Sequence, residues 1–445
     1  MVCPTRIFII LLVNNIHIQR ASSALVNITR RTKKDLILNP VSQNLIEVFK
    51  AVEVYRPLTT EEKQNTSKTA NEYYTASDNP DKHLNIVELV RKYGYPITVH
   101  RVQTQDGYIL KMFRIPGNGP AVFLMHGLLC SADDWVTAGS ESGIAYVLAS
   151  AGYDVWLGNA RGNKYSRHHR SLSPDNDAEH FWDFSWDEIG RYDLAAMIDY
   201  ILRHTGQPTL KYVGHSQGTT SFFVLCSERP EYNEKISLMA ALSPVAWMSH
   251  VESAMLRLFS SANPLLYRIA KLFGVYEFIP SNEVTKAVAD VLCGTTTLAT
   301  ILCSNILFII GGFDFDQLNI TNLPVLFGHV PAGSATKQLV HYGQGVQSGE
   351  FKKFDYGERI NIEIYGSKKP PTYAVEKITA PVALFYSDSD WLSNVIDVNI
   401  LKSKLPNVID FYKVPHKKFN HFDYLWAKDV KDLVINRLLQ LLNQT

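Results

Sequence analysis

The chain has 445 residues, of which 46% are hydrophobic and 20% are charged, so it can bury an extensive core. Its formal net charge is +1 and no stripe of Lys and Arg occurs, which gives no support for nucleic-acid binding. The sequence has no glycine-rich phosphate loop and no Cys/His cluster with metal-ligand spacing, so it implies neither a metal nor another cofactor.

The first residues have the pattern of a secretory signal peptide. Arg6 precedes an apolar run over residues 7–13, and small residues follow at 21–24, which predicts cleavage near Ala24. The apolar run is too short to span a bilayer. Four Asn-x-Ser/Thr sequons fit passage through the secretory pathway and are candidate glycosylation sites, at Asn27, Asn65, Asn319 and Asn443.

Residues 25–84 form a polar N-terminal extension without a long periodic segment. A propeptide, a disordered leader or an added surface element would each fit this composition. A regular pattern begins at residue 85. It predicts a helix over 86–93 and a hairpin of two strands, 97–103 and 108–114, joined at Asp106-Gly107.

Strands and helices then alternate along the chain. The predicted elements are strand 121–125, helix 142–151, strand 153–157, helix 187–204, strand 210–213 and strand 236–242. This alternation is typical of βαβ units, which place helices on both faces of a parallel sheet. The sequence therefore predicts an α/β fold with a mostly parallel central sheet.

The pentapeptide Gly214-His215-Ser216-Gln217-Gly218 joins strand 210–213 to a helix-forming stretch. This is the pattern of the nucleophile elbow of an α/β-hydrolase, a sharp turn that exposes the serine hydroxyl above the sheet. Ser216 is the predicted nucleophile. A tetrahedral intermediate needs backbone N–H donors, and the residue after the nucleophile, Gln217, is predicted to supply one of them.

Acid and base candidates follow in chain order. Strand 381–386 leads to Asp388 and Asp390, and the final loop contains His416 and His421. The order Ser, Asp, His is typical of α/β-hydrolases, but the residues alone leave open which member of each pair takes part.

Two further histidines, His126 and His215, adjoin the predicted site. A histidine next to the elbow serine points away from its hydroxyl, whereas a general base must reach that hydroxyl from across the site. We therefore expect both to pack or hydrogen-bond locally.

Between residues 244 and 370 the βαβ alternation stops, and apolar helix-like segments replace it. An insertion at this point covers the active site of an α/β-hydrolase, so we expect a helical cap over 244–370 between two parts of the hydrolase core, 85–243 and 371–445. Its apolar residues fit either ordinary packing onto the core or a lid that opens toward lipid.

Several motifs together resemble the acid lipases, which comprise gastric and lysosomal acid lipases and their insect relatives. The resemblance runs from about residue 85 to the C-terminus. It is carried by Gly-His-Ser-Gln-Gly-Thr-Thr at 214–220, His-Gly-Leu-Leu at 126–129, Asp-Val-Trp-Leu-Gly-Asn-Ala-Arg-Gly-Asn at 154–163, Asp-Trp-Leu at 390–392 and Asn-His-Phe-Asp at 420–423.

The resemblance implies roles for particular residues. It selects Asp390 and His421 over their neighbours, and it makes the N–H of Leu128 the second oxyanion donor. It also implies a disulfide between Cys293 and Cys303, although the matching loop in the family is one residue shorter.

Cys130 and Cys226 fall in a core strand-loop and a core helix. Buried free thiols are the expected state of these two cysteines.

As an acid lipase relative, the chain is expected to be a secreted or lysosomal serine ester hydrolase that acts on neutral lipid at a droplet or micelle interface. Triacylglycerol is the favoured substrate and cholesteryl ester the next. A carboxylesterase without interfacial behaviour would carry the same three residues. A non-catalytic lipid-binding protein is disfavoured because all three positions are filled, and no protein partner is predicted.

Overall fold

The computed structural model describes residues 79–253, 256–257, 260, 267, 270–281 and 310–444. The predicted signal peptide, nearly all of the N-terminal extension, the Cys293–Cys303 disulfide and the sequons at Asn27 and Asn65 lie outside the described residues.

Within the described residues, eight strands form the central sheet, and two further strands form a small ribbon. In chain order the strands are β1 (Thr98–Gln103), β2 (Ile109–Ile115), β3 (Ala121–Met125), β4 (Asp154–Leu157), β5 (Leu210–His215), β6 (Ile236–Leu242), β7 (Glu277–Phe278), β8 (Ser334–Ala335), β9 (Val382–Tyr386) and β10 (Val408–Lys413). The sheet order is β1-β2-β4-β3-β5-β6-β9-β10, and β7 pairs with β8.

The sheet is parallel from β4 to β10. Only the N-terminal hairpin departs from this, because β1 runs antiparallel to β2 and β2 runs antiparallel to β4. The predicted mostly parallel α/β-hydrolase sheet is confirmed. Strands β3, β4 and β5 are buried along their whole length, as the continuous apolar runs of a covered parallel sheet require.

Helices cover both faces of the sheet. They are α1 (Ile86–Lys92), α2 (Ile144–Ser150), α3 (Ala178–Phe181), α4 (Trp186–Glu188), α5 (Ala195–Thr205), α6 (Gln217–Glu228), α7 (Leu323–His329), α8 (Thr336–Ser348), α9 (Glu358–Tyr365), α10 (Val395–Lys404), α11 (Asp423–Trp426) and α12 (Asn436–Gln444). Short 3₁₀ turns occupy Pro80–His83, Ala132–Trp135, Pro230–Lys235, Ile320–Asn322 and Val375–Lys377, and π-helical stretches occupy Ile189–Leu194 and Lys431–Ile435.

The core has two layers, one on each face of the sheet. Phe123 and Met125 of β3 belong to one apolar cluster, and Val122 and Leu124 belong to the other. Successive residues of a strand point to opposite faces, so the strand itself divides the two clusters.

The predicted helix 187–204 runs from Trp186 to Thr205, but its Ile189–Leu194 portion is π-helical. Here Gly190 meets α6, and a Cβ on Gly190 would lie 2.7 Å from the Ser221 carbonyl oxygen. Glycine therefore allows the long helix to cross the helix that follows Ser216.

The chain between β6 and β9 contributes α7, α8, α9 and the β7–β8 ribbon. None of the helices in the described ranges combines the length and the apolar character needed to cross a membrane.

Candidate active site

The sharp turn at Ser216 lies between β5 and α6. Ser216 has φ 52° and ψ −118°, a backbone conformation that non-glycine residues rarely adopt, and its N–H donates to the Leu242 carbonyl oxygen at 3.1 Å. The turn is crowded, because a Cβ on Gly218 would lie 2.2 Å from the Met125 carbonyl oxygen and one on Gly214 would lie 2.9 Å from the Gly218 carbonyl carbon. Both flanking glycines are therefore needed for this strand-to-helix turn.

The loop before α11 places His421 opposite this serine. His421 Nε2 lies 2.8 Å from Ser216 Oγ. The Asn420 side chain holds the loop, since its Oδ1 accepts from the Phe422 N–H at 2.8 Å. The imidazole is buried and Ser216 is half-buried.

Asp390 completes the chain of contacts. Its Oδ1 and Oδ2 atoms lie 2.9 Å and 3.1 Å from His421 Nδ1. Oδ1 also accepts the backbone N–H groups of Leu392 at 3.0 Å and Ser393 at 2.8 Å. Burial alone would raise the pKa of Asp390, but His421 and the hydrogen bonds from the Ser243 hydroxyl and the Ser393 N–H outweigh it and hold the pKa below its ordinary value. The carboxylate is therefore ionised beside the imidazole.

The competing candidates lie elsewhere. Asp388 pairs with Lys413 at 2.6 Å on the surface, and its side chain is 41% exposed. His416 Nε2 lies 2.7 Å from Asp314 Oδ2. The structure brings together Ser216, Asp390 and His421 and leaves Asp388 and His416 outside the group.

Among the described residues, Asp314, Asp316 and His416 form a group whose ligand atoms lie within 4.8 Å of one another. Asp314 already contacts His416, and Asp316 pairs with Lys418 at 3.3 Å.

The predicted oxyanion donors belong to two segments that adjoin Ser216. Gln217 is the first residue of α6, so its N–H has no acceptor within the helix. Leu128 is half-buried and follows Gly127, on which a Cβ would lie 3.2 Å from Ser216 Cβ and 3.6 Å from Ser216 Oγ. The loop after β3 therefore runs directly beside the nucleophile.

His126 and His215 hydrogen-bond away from the serine. His126 Nδ1 donates to the Gly127 carbonyl oxygen at 2.7 Å, and its Nε2 accepts from the Ala160 N–H at 3.1 Å. His215 Nε2 lies 2.9 Å from the His421 carbonyl oxygen. Burial lowers the pKa of His126 to about 4 and that of His215 to about 3, so both rings are neutral supports of the two loops.

The long motif at 154–163 supports the loop after β3. Asn159 Oδ1 accepts from the Ala132 N–H at 3.0 Å and from Asn163 Nδ2 at 2.9 Å. Asn163 Nδ2 also lies 3.1 Å from His126 Nε2. These buried amides fix the path of the His126–Leu129 segment.

Ser243 also contacts the site, and the sequence analysis missed it. Its hydroxyl lies against both Asp390 and His421. The only sequence signal is its position, since it directly follows a parallel strand next to the strand that leads to Ser216.

Cys130 and Cys226 are buried and unpaired, which confirms the prediction of free thiols.

Comparisons with known proteins agree with this fold. Residues 86–139 match the model of a partial alpha/beta-hydrolase lipase region, and residues 120–287 match that of the alpha/beta hydrolase fold. A solved structure of a Sulfolobus solfataricus protein shares the fold with a TM-score of 0.53 at 13% identity, covering 78% of this chain and 94% of that one.

Similarity to several lipases extends over most of the chain. Lipase 1 of Drosophila melanogaster is 43% identical over 82% of this chain and 81% of its own length. Gastric triacylglycerol lipase of Bos taurus is 40% identical over 82% and 92%, and human lysosomal acid lipase/cholesteryl ester hydrolase is 38% identical over 83% and 93%. The chain belongs to the acid lipase family of the α/β-hydrolases.

Proposed function

We propose that this chain is a serine lipase that hydrolyses triacylglycerol through an acyl-enzyme at Ser216. One observation carries the proposal: hydrogen bonds run from the Ser216 hydroxyl to His421 Nε2 at 2.8 Å and from His421 Nδ1 to Asp390 at 2.9 Å. A serine hydroxyl alone is a weak nucleophile, and an adjacent oriented base activates it.

In the first half of the reaction, His421 Nε2 accepts the hydroxyl proton while Ser216 Oγ attacks the ester carbonyl carbon. The ionised Asp390 stabilises the imidazolium that forms. His421 then gives the proton to the departing alcohol, and the acyl group remains on Ser216. In the second half, His421 deprotonates a water that attacks the acyl carbonyl carbon. His421 then returns the proton to Ser216 Oγ as the acyl–serine bond breaks, which releases the fatty acid and restores the free serine.

The N–H groups of Gln217 and Leu128 are proposed to stabilise the oxyanion. The Gln217 N–H lies at the N-terminus of α6, where the helix dipole favours negative charge. The absence of a side chain on Gly127 lets the Leu128 backbone run close to Ser216. A donor of this kind is worth about 3–4 kcal/mol in the transition state.

A lipid substrate is supported by the names of the relatives, which include triacylglycerol lipases and a cholesteryl ester hydrolase. It is also supported by two apolar residues within the predicted cap 244–370: Leu272 is 81% exposed and Phe273 is 66% exposed. We propose that the cap acts as a lid and that these side chains face lipid when it opens.

The test compares the wild-type protein with Ser216→Ala on emulsified triolein, tributyrin, cholesteryl oleate and a soluble nitrophenyl ester. We expect Ser216-dependent turnover of triolein and tributyrin that rises once each substrate exceeds its solubility limit. Ser227→Ala is a matched control, because Ser227 is buried on the far end of α6 and its hydroxyl donates to the Val224 carbonyl oxygen at 3.0 Å.

Other results would change the assignment. Turnover of the soluble ester alone would make the protein a carboxylesterase, and a preference for cholesteryl oleate would make it a cholesteryl esterase. Ser216→Ala protein that retained wild-type turnover would contradict the mechanism.

We further propose that the chain enters the secretory pathway and is secreted or lysosomal. Asn443 is exposed, and its Oδ1 accepts from the Tyr153 hydroxyl at 2.6 Å, which leaves Nδ2, the atom that carries a glycan, outside that bond. Asn319 is half-buried beside Thr321. Expression in insect cells should yield protein that begins near residue 25 and loses mass with a glycosidase, and cytosolic retention without glycans would contradict this.

A further inference from the structure

The hydroxyl of Ser243 contacts two residues of the proposed triad at once. Its Oγ donates to Asp390 Oδ2 at 2.5 Å and lies 2.7 Å from His421 Nδ1. The side chain is completely buried. Ser243 directly follows β6, and its N–H donates to the Phe385 carbonyl oxygen at 3.0 Å, so the neighbouring strand β9 holds it in place.

The backbone at Ser243 is in the left-handed region, with φ 52°. Glycine adopts this conformation freely, whereas a residue with a Cβ pays a steric cost. Backbone geometry alone would therefore favour glycine here. A serine at a strained, buried position implies that its hydroxyl has a use.

We propose that Ser243 is a positioning residue that fixes the tautomer and orientation of His421 and stabilises the ionised form of Asp390. The inference rests on the triad proposed above. Because Ser243 donates its only hydroxyl proton to Asp390, its oxygen can only accept from His421 Nδ1. Nδ1 therefore carries the ring proton, and the lone pair of Nε2 points at Ser216.

The pKa values of three titratable groups near this cluster are shifted toward their neutral forms. Burial and the nearby His421 lower the pKa of His215 to about 3, and burial raises the pKa of Asp423 and of Tyr424 well above their ordinary values. The pKa of Asp390 is instead held below its ordinary value, and Ser243 supplies this carboxylate with a side-chain donor. Removing that donor raises the pKa of Asp390.

The test compares Ser243→Gly and Ser243→Ala with the wild-type full-length secreted protein and with Ser227→Ala. Two rates are measured from pH 4 to pH 9: the second-order labelling of Ser216 by a fluorophosphonate, and kcat and KM for a soluble nitrophenyl ester. The labelling rate reports the reactivity of the serine whatever the natural substrate is.

We expect both Ser243 variants to lose about tenfold to hundredfold in labelling rate and kcat, the loss typical of a hydrogen bond to a charged group. The acid limb of both profiles should move about 0.5–1 unit to higher pH. KM should not change, because Ser243 is buried behind the triad. Ser227→Ala should match the wild type.

A Ser243→Gly protein with the wild-type rate and acid limb would overturn the inference, since the serine would then only fill space. Glycine fits φ 52° without strain, so this variant decides the question even if Ser243→Ala does not fold. The proposed function fails in a different way: triolein would not be hydrolysed although the fluorophosphonate still labelled Ser216.

Discussion

The carbonyl oxygen of Gly311 accepts the backbone N–H of His421 at 3.2 Å. The same oxygen accepts the Trp391 N–H, also at 3.2 Å. Gly311 belongs to the chain between β6 and β9, whereas His421 and Trp391 belong to the loops that carry the proposed base and acid. One carbonyl group therefore links the chain between β6 and β9 to both loops.

The next residue, Gly312, tests this link. Gly312 has φ 112°, and a Cβ on it would lie 2.2 Å from the carbonyl oxygen of Ser389. Ser389 is the residue that precedes Asp390. We expect Gly312→Ala to displace the acid loop and to lower kcat for a soluble ester at least tenfold. Gly357→Ala is the matched control, because Gly357 has φ 91° but open space around its Cβ position.

Both glycine variants carry the backbone strain of a positive φ, so both should lose thermal stability. Only Gly312→Ala should lose activity per folded molecule, as determined by titrating active sites. Equal activity in the two variants would show that the acid loop tolerates the displacement.

Much of this arrangement follows from local sequence. The buried strands are continuous apolar runs, the tight turn at Ser216 needs glycines at fixed positions, and parallel strands bring their C-terminal ends to one edge of the sheet. The order Ser, Asp, His therefore predicted where three side chains would meet. Choosing Asp390 over Asp388 needed the family resemblance, because both follow the same strand.

Other features depend on contacts that no local pattern encodes. Ser243 reaches Asp390 because Leu242 pairs with Phe385 in the register between β6 and β9. The π-helical stretch within the predicted helix 187–204 likewise lies where that helix crosses α6, far away in sequence. Such features follow from the assembled fold.

Exchanging Asp390 and Asp388 separately for Asn gives a direct comparison of the two acid candidates. Asp390→Asn should lower kcat by about 10⁴, because an amide at this position favours the wrong tautomer of His421. Asp388→Asn should retain wild-type kcat, since it removes only a surface ion pair with Lys413. Steady-state kinetics on a soluble nitrophenyl ester measure both, and similar losses in the two variants would contradict the assignment of Asp390.

Asp134 should make the protein less stable as pH rises. Burial raises the pKa of this carboxyl to about 7, from an ordinary value of 3.8. Between pH 3.8 and about pH 7, Asp134 keeps its proton in the folded chain but has lost it in the unfolded chain. The free energy of unfolding therefore falls with rising pH in this window, by about 1.4 kcal/mol per unit, and this contribution levels off above about pH 7.

Asp134→Asn removes this contribution, because the amide does not titrate. Urea unfolding at pH 5, 6, 7 and 8 measures the free energy of unfolding, which should decline less steeply with pH for the variant than for the wild type. At pH 8 the variant should be more stable by an amount on the order of 2–4 kcal/mol. Asp388→Asn changes an exposed carboxylate, so the free energy of unfolding of this variant should decline with pH as steeply as that of the wild type. Parallel curves for Asp134→Asn and the wild type would mean that Asp134 is ionised in the folded chain.

Arg161 anchors the long motif at 154–163 in the core. Its guanidinium is 1% exposed and contacts Asp193 at 2.7 Å and Asp106 at 2.6 Å. Arg161→Lys keeps the charge but has no planar fork to reach both carboxylates, so either the buried Asp193 or the partly exposed Asp106 loses its partner. We expect a loss of about 3–5 kcal/mol in the free energy of unfolding, the cost of breaking a buried pair.

Arg437→Lys provides the comparison, because Arg437 contacts Asp410 at 3.0 Å near the surface, with its side chain 34% exposed. Exposed pairs contribute about 0–1 kcal/mol, so this variant should be close to the wild type. Urea denaturation of both proteins measures the difference. A small loss in Arg161→Lys as well would show that a single ammonium group can satisfy both carboxylates, and that the fork geometry of Arg161 is not what holds the motif in place.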